Sequence, residues 1–320
     1  MPSSDPVAGP RRPPLPAGNA ALRWGLAALW ILDAALQLQP SMFTRSVAGN
    51  VIYNAALMYQ PGWLERFLYS AASLEASHLH LLLLAIAAIQ LSLGVGLLIP
   101  ATVRPALVAS MAWALVVWVF GQGLGFMATG TAMIEFGAPG SAILYLTLAA
   151  LLWPNTAPSV RAGAIGHDQT RWRSAWSAFW VLGALLHIPF RYPPGAVLAY
   201  NFQTAAQLQP PVLAHLDYQW ARFAYAHGLG LSLALAVWEL GLATAVWIPR
   251  LRRPAIIVGV ISTIGFWVFG QALGGVLSGL STDPNSAPVV LLMAFALRGP
   301  LSSSQDQRPR RAEHTALATK

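Results

Sequence analysis

One eight-residue phrase occurs twice in this sequence and constrains its fold more than any other feature. Trp118–Gly125 reads WVFGQGLG, and Trp267–Gly274 reads WVFGQALG, at an offset of 149 residues. Each copy ends a long apolar run, where a glutamine flanked by glycine is unusual. The repetition predicts a duplicated helical unit in which the phrase either packs a helix corner or holds a ligand.

The composition around this phrase is typical of a membrane protein. Hydrophobic residues make up 56% of the chain and charged residues 9%, whereas soluble domains carry roughly 25% charged residues. Apolar stretches of about 20 residues, the length that crosses a bilayer, recur along the chain. We therefore predict an all-α, polytopic protein of the cell (plasma) membrane, with the lipid bilayer as its first partner.

The net charge of +8 does not indicate nucleic acid as a partner. Basic residues are scattered between the apolar runs rather than gathered into a patch, and the only lysine is Lys320. The absence of cysteine excludes thiol catalysis, disulfides and cysteine-ligated metal. No short apolar segment with a cleavage site precedes the first apolar run, so we predict no removed signal peptide.

The apolar runs form two sets of four, which we interpret as two tandem, parallel four-helix units with about eight transmembrane helices. The first unit occupies residues 21–154 and the second 172–298. A cytoplasmic linker, 155–171, separates them, and 1–20 and 299–320 are predicted to be disordered cytoplasmic tails. The predicted spans are 21–38, 79–99, 106–127, 140–153, 172–189, 228–248, 255–277 and 288–297, with short interfacial helices at 39–77.

Polar and proline positions outside the phrase keep the same spacing. Pairs at the constant offset, or shifted from it by one residue, are Gln60–Pro61 with Gln209–Pro210, His78 with His227, Gln90 with Glu239, Pro139 with Pro288, Trp30 with Trp180, and Gln37 with His187. Each predicted unit has an even number of spans, so the two repeats are predicted to be parallel. Most arginines fall on the side of both termini, which predicts a cytoplasmic N-terminus and C-terminus.

Polar residues inside the predicted spans are the candidate site. Asp33 lies near mid-bilayer with Gln37 one turn away on the same face. The glutamines of the phrase lie nearer the outer surface, as do the histidines that begin the second span of each unit. We predict a polar cavity open to the extracytoplasmic side, the alternative being hydrogen bonds that only cross-link helices. The candidate ligand-binding residues are Gln122, Gln271, His78, His227, Asp33, Gln37, His187, Glu239, Trp118 and Trp267.

No metal ligand set is predicted. Glu75 and His78 have the E-x-x-H spacing of di-iron bundles, but Ala224 occupies the position of Glu75 in the second unit. Haem or copper held by the scattered histidines therefore ranks below a quinone as the expected cofactor. The loop at Asp283, loosely matched by Glu135, is a candidate lid. Gly121 and Gly125 are interpreted as close-packing positions between helices.

Two elements carry a resemblance. Trp30, Asp33, Gln37, Gln39 and Pro40 form WxLDxxLQxQP. Trp118, Gly121, Gly123 and Gly125 form WxFGxGxG. The four-span unit resembles the DoxX/DoxD-like membrane families, and most of residues 21–298 is similar to their tandem-duplicated actinobacterial form. The resemblance implies a membrane subunit of a quinone-linked oxidoreductase, as in thiosulfate oxidation, and assigns no catalytic residue to this chain.

Three functions remain open from the sequence. The favoured one is a redox subunit that binds a quinone or similar lipophilic molecule in the outer leaflet, beside an extracytoplasmic or membrane redox partner. In that hypothesis the glutamines and histidines hold the head group and Asp33 or Glu239 handles protons. The alternatives are a carrier of small solutes through a cavity between the repeats, and a structural membrane partner of an extracytoplasmic protein.

Overall fold

The chain folds into helices, as a computed structural model of residues 17–44, 52–57, 59–153, 164–189 and 191–298 shows, with no strand in these ranges. Two short 3-10 turns, Pro40–Phe43 and Ile134–Phe136, lie in the connections between α-helices. The α-helices are α1 Ala17–Gln37, α2 Asn54–Leu57, α3 Gly62–Ser77, α4 Leu79–Leu98, α5 Val103–Val116, α6 Ser141–Leu151, α7 Ala164–Leu186, α8 Pro194–Ala206, α9 Pro211–Ala245, α10 Arg252–Gly265 and α11 Ala287–Leu297.

Among the described residues, four helices are long and apolar enough to cross a membrane, which fits a membrane protein. They are α4, α5 with its continuation to Gly121, α9, and α10 with its continuation to Gly270. Their outward faces are apolar: Leu81 is 67% exposed and Val237 70% exposed. A face of this kind is stable against lipid rather than water.

The remaining helices leave the predicted count of eight spans open. Helices α6 and α11 have 11 residues each, which at 1.5 Å per residue is roughly 16 Å, about half of a 30 Å hydrocarbon core. The polar loops that precede them would then reach well below the outer surface. Such backbone is tolerated at membrane depth only where protein covers it.

The two halves of the chain, residues 17–153 and 164–298, repeat the same local backbone. The π-helical turns Val117–Gly121 and Phe266–Gly270 begin and end at equivalent residues. His78, with φ −122°, separates α3 from α4, and His227, with φ −119°, interrupts α9 at the equivalent place. Because these irregularities coincide, the repetition in the sequence is also a repetition of conformation.

Several predicted boundaries are wrong. The third span was expected to reach residue 127, but regular helix gives way to the π turn and ends at Gly121. Helix α7 begins at Ala164, inside the predicted linker, and α1 begins at Ala17, inside the predicted tail. Residues 155–163 of the linker and residues 1–16 and 299–320 of the tails lie outside the described residues.

The halves share one core in which four aromatic side chains are fully buried. Trp30 of α1 and Tyr145 of α6 meet edge to face at 4.8 Å, and Trp176 and Trp180 of α7 lie in the same apolar cluster. Burying an aromatic side chain of this size contributes about 1.5 to 3 kcal/mol or more in apolar area. The shared core therefore holds the two halves in one body.

Each half also sends the loop after its WVFGQ phrase onto the other half. From the first loop, Met133 packs with Leu198 of α8, and the carbonyl of Thr131 accepts a hydrogen bond from Asn201 at 3.0 Å. From the second loop, the carbonyl of Ser281 accepts a hydrogen bond from Gln39 at 3.3 Å. This reciprocal exchange brings polar side chains of each half into the interior of the other.

Candidate functional site

The tryptophans of the repeated phrase anchor the exchanged loops. The Trp118 indole N–H donates to the carbonyl of Pro139 at 2.7 Å, and Trp267 donates to the carbonyl of Pro284 at 2.9 Å. The contacts therefore align Pro139 with Pro284, and not with Pro288 as the constant offset predicted. Neither tryptophan lines the cavity beside Asp33, so their predicted role as pocket walls stays a prediction.

The glutamines of the phrase cap the short helices. Gln122 accepts a hydrogen bond from the backbone N–H of Ala142 at 3.2 Å and donates to Ser141 at 2.7 Å. Gln271 accepts from the N–H of Ala287 at 3.2 Å and donates to the carbonyl of Ile134 at 3.2 Å. The first N–H groups of a helix lack partners within it, and these side chains supply them. Both amides are thus already engaged inside the protein.

The glycines of the phrase do not pack one helix against another. Gly125 has φ +62°, in the left-handed region, and a Cβ there would run into the backbone oxygen of Pro139. Gly121 has only Val117, one turn away on its own helix, as a neighbour at 3.6 Å. The interpretation of this spacing as a helix–helix motif is wrong, because the chain has left the helix before Gly125.

A cavity of about 150 Å³ lies beside Asp33 in the N-terminal half; we call it the Asp33 cavity. It is bounded by α1, α4, α5 and α6, with Thr282 and Asp283 of the exchanged loop completing its wall. Asp33 is 2% exposed and accepts a hydrogen bond from the Tyr145 hydroxyl at 3.2 Å. Asp283 accepts one from Gln122 at 3.3 Å.

Three polar atoms of the cavity wall have no hydrogen-bond partner within the described chain. They are Oε1 of Gln37, Oε1 of Gln90 and the indole nitrogen of Trp113. A buried polar group without a partner costs about 1 to 3 kcal/mol, and such groups in native proteins are normally paired with protein, water or ligand. Two acceptors and one donor on residues of the cavity wall are therefore unpaired, beside a space large enough for a small ring.

Glu75 of α3 also lines the Asp33 cavity. Burial raises the pKa of its carboxyl above the ordinary value of 4.5, because desolvation disfavours the charged form. Helix α3 lies outside the four candidate spans. In the unfolded chain this carboxyl ionises at its ordinary pKa, whereas in the folded chain it ionises only at higher pH. The folded state is therefore destabilised as pH rises above the ordinary carboxyl range.

We accordingly expect Glu75→Gln to raise the thermal midpoint at pH 7. Below the ordinary carboxyl pKa of 4.5 the difference should vanish, since the carboxyl is then protonated in both folded and unfolded chains. The measurement is thermal unfolding of the purified protein across this pH range. Glu65→Gln, at an exposed position of the same helix, is the control. A stabilisation that is equal at both pH values would contradict the assignment.

At the equivalent place in the C-terminal half the structure has a cluster of two carboxylates and an imidazole. Nε2 of His187 lies 2.9 Å from Glu135 and 3.6 Å from Glu239. All three side chains are buried, and one ligand atom of each lies within 4.8 Å of the others. We call these residues the Glu–His–Glu cluster. Glu135 arrives from the exchanged loop of the other half, as Asp283 does at the Asp33 cavity.

The remaining hydrogen bonds of His187 orient its ring. The Ser232 hydroxyl donates to the backbone carbonyl of His187 at 3.3 Å. It must therefore accept from the ring at Nδ1, 3.0 Å away. The network thus assigns the proton to Nδ1 and turns the other nitrogen, Nε2, toward the two carboxylates.

The predicted site residues thus separate into groups. Asp33 and Gln37 meet at the cavity, and His187 and Glu239 meet in the cluster. His78 and His227 are exposed on the surface, where His78 bonds Ser77 at 2.9 Å and His227 packs against Phe223 at 4.7 Å between ring centroids. They are not brought to either site, because each lies at a helix break whose outward side faces away from the core.

Sequence reasoning did not select Tyr145 or Trp113, and it named Glu135 only as the loose match of the candidate lid at Asp283. In the sequence, Tyr145 and Trp113 look like ordinary aromatic residues of membrane spans. Glu135 precedes Gly137 and Pro139 and reads as turn chemistry. The only sequence signal for Glu135 is that it is a charged residue inside a predicted membrane unit.

Comparisons with known proteins add no support to the resemblance seen in the sequence. No family model, no curated protein and no solved structure matches the chain. Membership of the DoxX/DoxD-like families therefore stays a prediction from the two sequence elements. The geometry of the two sites is what bears on function.

Proposed function

We propose that the chain is a membrane protein of two fused four-helix units and eight crossings, with both termini in the cytoplasm. The coincident π turns, helix breaks and indole anchors of the two halves support the duplication. The arginine distribution supports the orientation. In this arrangement the exchanged loops lie in the outer half of the membrane, and the short helix after each loop continues to the cytoplasmic side.

We further propose that it serves as a membrane subunit of a redox system and binds the head group of a quinone or similar lipophilic molecule in the Asp33 cavity. The observation that carries the proposal is the set of unpartnered atoms on Gln37, Gln90 and Trp113 around about 150 Å³ of space. An apolar cavity of roughly this volume holds benzene, so a single substituted ring fits.

The polar groups of the cavity wall can form hydrogen bonds with a quinone ring in both its oxidised and its reduced state. Carbonyl oxygens accept from the Trp113 indole, and hydroxyls donate to the amide oxygens of Gln37 and Gln90. Asp33, held by Tyr145, offers a carboxyl for protons beside the head group. The bound molecule supplies the electron-transfer chemistry, and a partner oxidoreductase takes or delivers the electrons.

A lipophilic molecule would enter the cavity from the bilayer past α5 and its continuation to Gly121. Val116 and Phe120 line the cavity and are also 43% and 41% exposed on the outer surface. The cavity therefore lies directly behind a lipid-facing surface, where a lipophilic tail remains in the bilayer while the head group enters.

The test is extraction of lipophilic molecules from protein purified out of native membranes in mild detergent, followed by mass spectrometry. We expect a quinone-type molecule in the wild type. Gln90→Leu should reduce it about tenfold, the effect of losing one hydrogen bond of about 1.4 kcal/mol. Ser92→Ala, a lipid-side change on the same helix whose hydroxyl bonds only Ala88, should leave it unchanged.

Two results would overturn this proposal. One is a wild type that carries no such molecule and takes up none from added quinone; the other is equal content in Gln90→Leu and the wild type. The carrier alternative has one observation in its favour, since Thr282 and Asp283 place part of the cavity wall between the halves. Uptake of a polar solute into vesicles that fails in Asp33→Asn would favour that alternative.

A further inference from the structure

We propose that Glu135, His187 and Glu239 bind one divalent first-row transition metal ion, such as Mn²⁺, Fe²⁺ or Zn²⁺. This site is separate from the Asp33 cavity and does not depend on quinone binding there. One imidazole nitrogen and two carboxylates make a mixed donor set that suits these ions better than soft Cu⁺.

The spacing of the donor atoms fits a shared ion. Ligand atoms around an ion at 2.0 to 2.2 Å lie roughly 3 to 3.5 Å apart at tetrahedral or octahedral angles. Nε2 of His187 lies at 2.9 Å from Glu135 and 3.6 Å from Glu239. The third pair, one oxygen on each carboxylate, also lies within 4.8 Å and would move closer around a shared ion.

Unpartnered oxygens are the second observation that points to a cation. Both oxygens of Glu239 and Oε2 of Glu135 are buried with no hydrogen-bond partner among the described residues. The exposed fraction of Glu239 is 0% and that of Glu135 is 4%. A buried carboxylate without a donor is costly unless it is paired or coordinates a metal.

Charge balance favours a divalent ion over a single proton. With Nδ1 protonated and bonded to Ser232, the lone pair of Nε2 points at two negatively charged groups. A proton on Nε2 balances one carboxylate, and the second carboxyl has to hold a proton of its own to be neutral. A divalent ion balances both and uses the oxygens that otherwise have no partner.

Ser232 supplies the orientation that metal-bound histidines normally have. Such a histidine donates its other ring N–H to a second group, which fixes the ring and the free nitrogen. The same serine hydroxyl is held by the carbonyl of His187, so the ring is fixed before an ion arrives. Ser232→Ala should therefore weaken metal binding about 10- to 100-fold while leaving all three ligands in place.

The experiment uses the full chain in detergent, stripped with a chelator and reloaded separately with Mn²⁺, Fe²⁺ under anaerobic conditions, and Zn²⁺. We expect one of these ions to be retained at about one equivalent per chain and to raise the thermal midpoint. Glu239→Gln, which keeps the side-chain volume, should lose the retained ion. Glu65→Gln, which changes an exposed carboxylate outside both sites, should retain it.

The proposal is overturned by a folded wild type that retains none of the three ions, a result that needs no variant to fold. It is also overturned if Glu239→Gln and Glu135→Gln both elute as folded protein and retain the same metal content as the wild type, because the ion would then lie elsewhere.

Discussion

Gly125→Ala is expected to destabilise the protein by roughly 2 to 5 kcal/mol, whereas Gly121→Ala, four residues earlier in the same phrase, is expected to change little. At Gly125 the backbone has φ +62°, where a side chain costs about 1 to 2 kcal/mol. A methyl group there also runs into the carbonyl of Pro139, and overpacking of this kind typically costs another 1 to 3 kcal/mol.

The obstacle at Gly125 is backbone, which cannot rotate away. The oxygen it meets is the carbonyl that accepts the Trp118 indole hydrogen bond, so the loop and its anchor would have to move together. At Gly121 an added methyl meets only Val117 at 3.6 Å, an ordinary contact. We therefore expect a loss of about 10 °C in the thermal midpoint for the first variant alone.

Thermal unfolding of both variants in one detergent gives the comparison. Gly274→Ala is the equivalent change in the second copy, because its Cβ would meet the backbone of Pro284. Equal midpoints for Gly121→Ala and Gly125→Ala would contradict the conformational requirement and restore the simpler idea that both glycines only save space.

The repeated phrase also shows how far the sequence could lead. The offset and the apolar runs predicted the helices, the outer segments and the duplicated plan of local structure. They did not predict that the helix widens into a π turn at Val117, since the same residues are compatible with continued α-helix. The exchange of loops between halves could not be predicted either, because Met133 and Leu198 are ordinary apolar residues far apart in sequence.

The site was partly predictable for a physical reason. Polar groups inside apolar spans are costly, so Asp33, Gln37, His187 and Glu239 stand out without any structure. Whether such a group faces a cavity or surface depends on helix rotation, which is why His78 was misplaced. Glu135 lies in a loop, where charge carries no cost in itself, and only the folded chain brings it to His187.

Equivalent positions in the two halves hold side chains of different chemistry, so the two sites are unlike. Gln37 and Gln90 in one half correspond to His187 and Glu239 in the other. Asp33 corresponds to Gly183, where a Cβ would lie 2.8 Å from the carboxylate of Glu239. Loss of the side chain at Gly183 thus makes room for the cluster, while the neutral amides leave the Asp33 cavity suited to hydrogen bonding.

Close helix packing does occur in this protein, at Gly195 of α8 and Gly228 of α9, and it predicts the second large effect. Gly228→Ala should destabilise by about 1 to 3 kcal/mol or more, because its Cβ would run into the backbone of Gly195. Small residues at such crossings let backbones approach in membranes, where van der Waals packing drives helix association.

Gly230→Ala is the matched control, since it lies two residues away on the same helix and its Cβ would meet nothing within 4 Å. It should be neutral or stabilising by up to about 1 kcal/mol, the helix propensity gained over glycine. Gly228 and Ser232 are one turn apart on one face of α9, so displacement at Gly228 should also move Ser232 from His187. Unfolding midpoints measured beside metal retention would reveal both effects, and a Gly228→Ala protein as stable as Gly230→Ala would refute the crossing as a rigid contact.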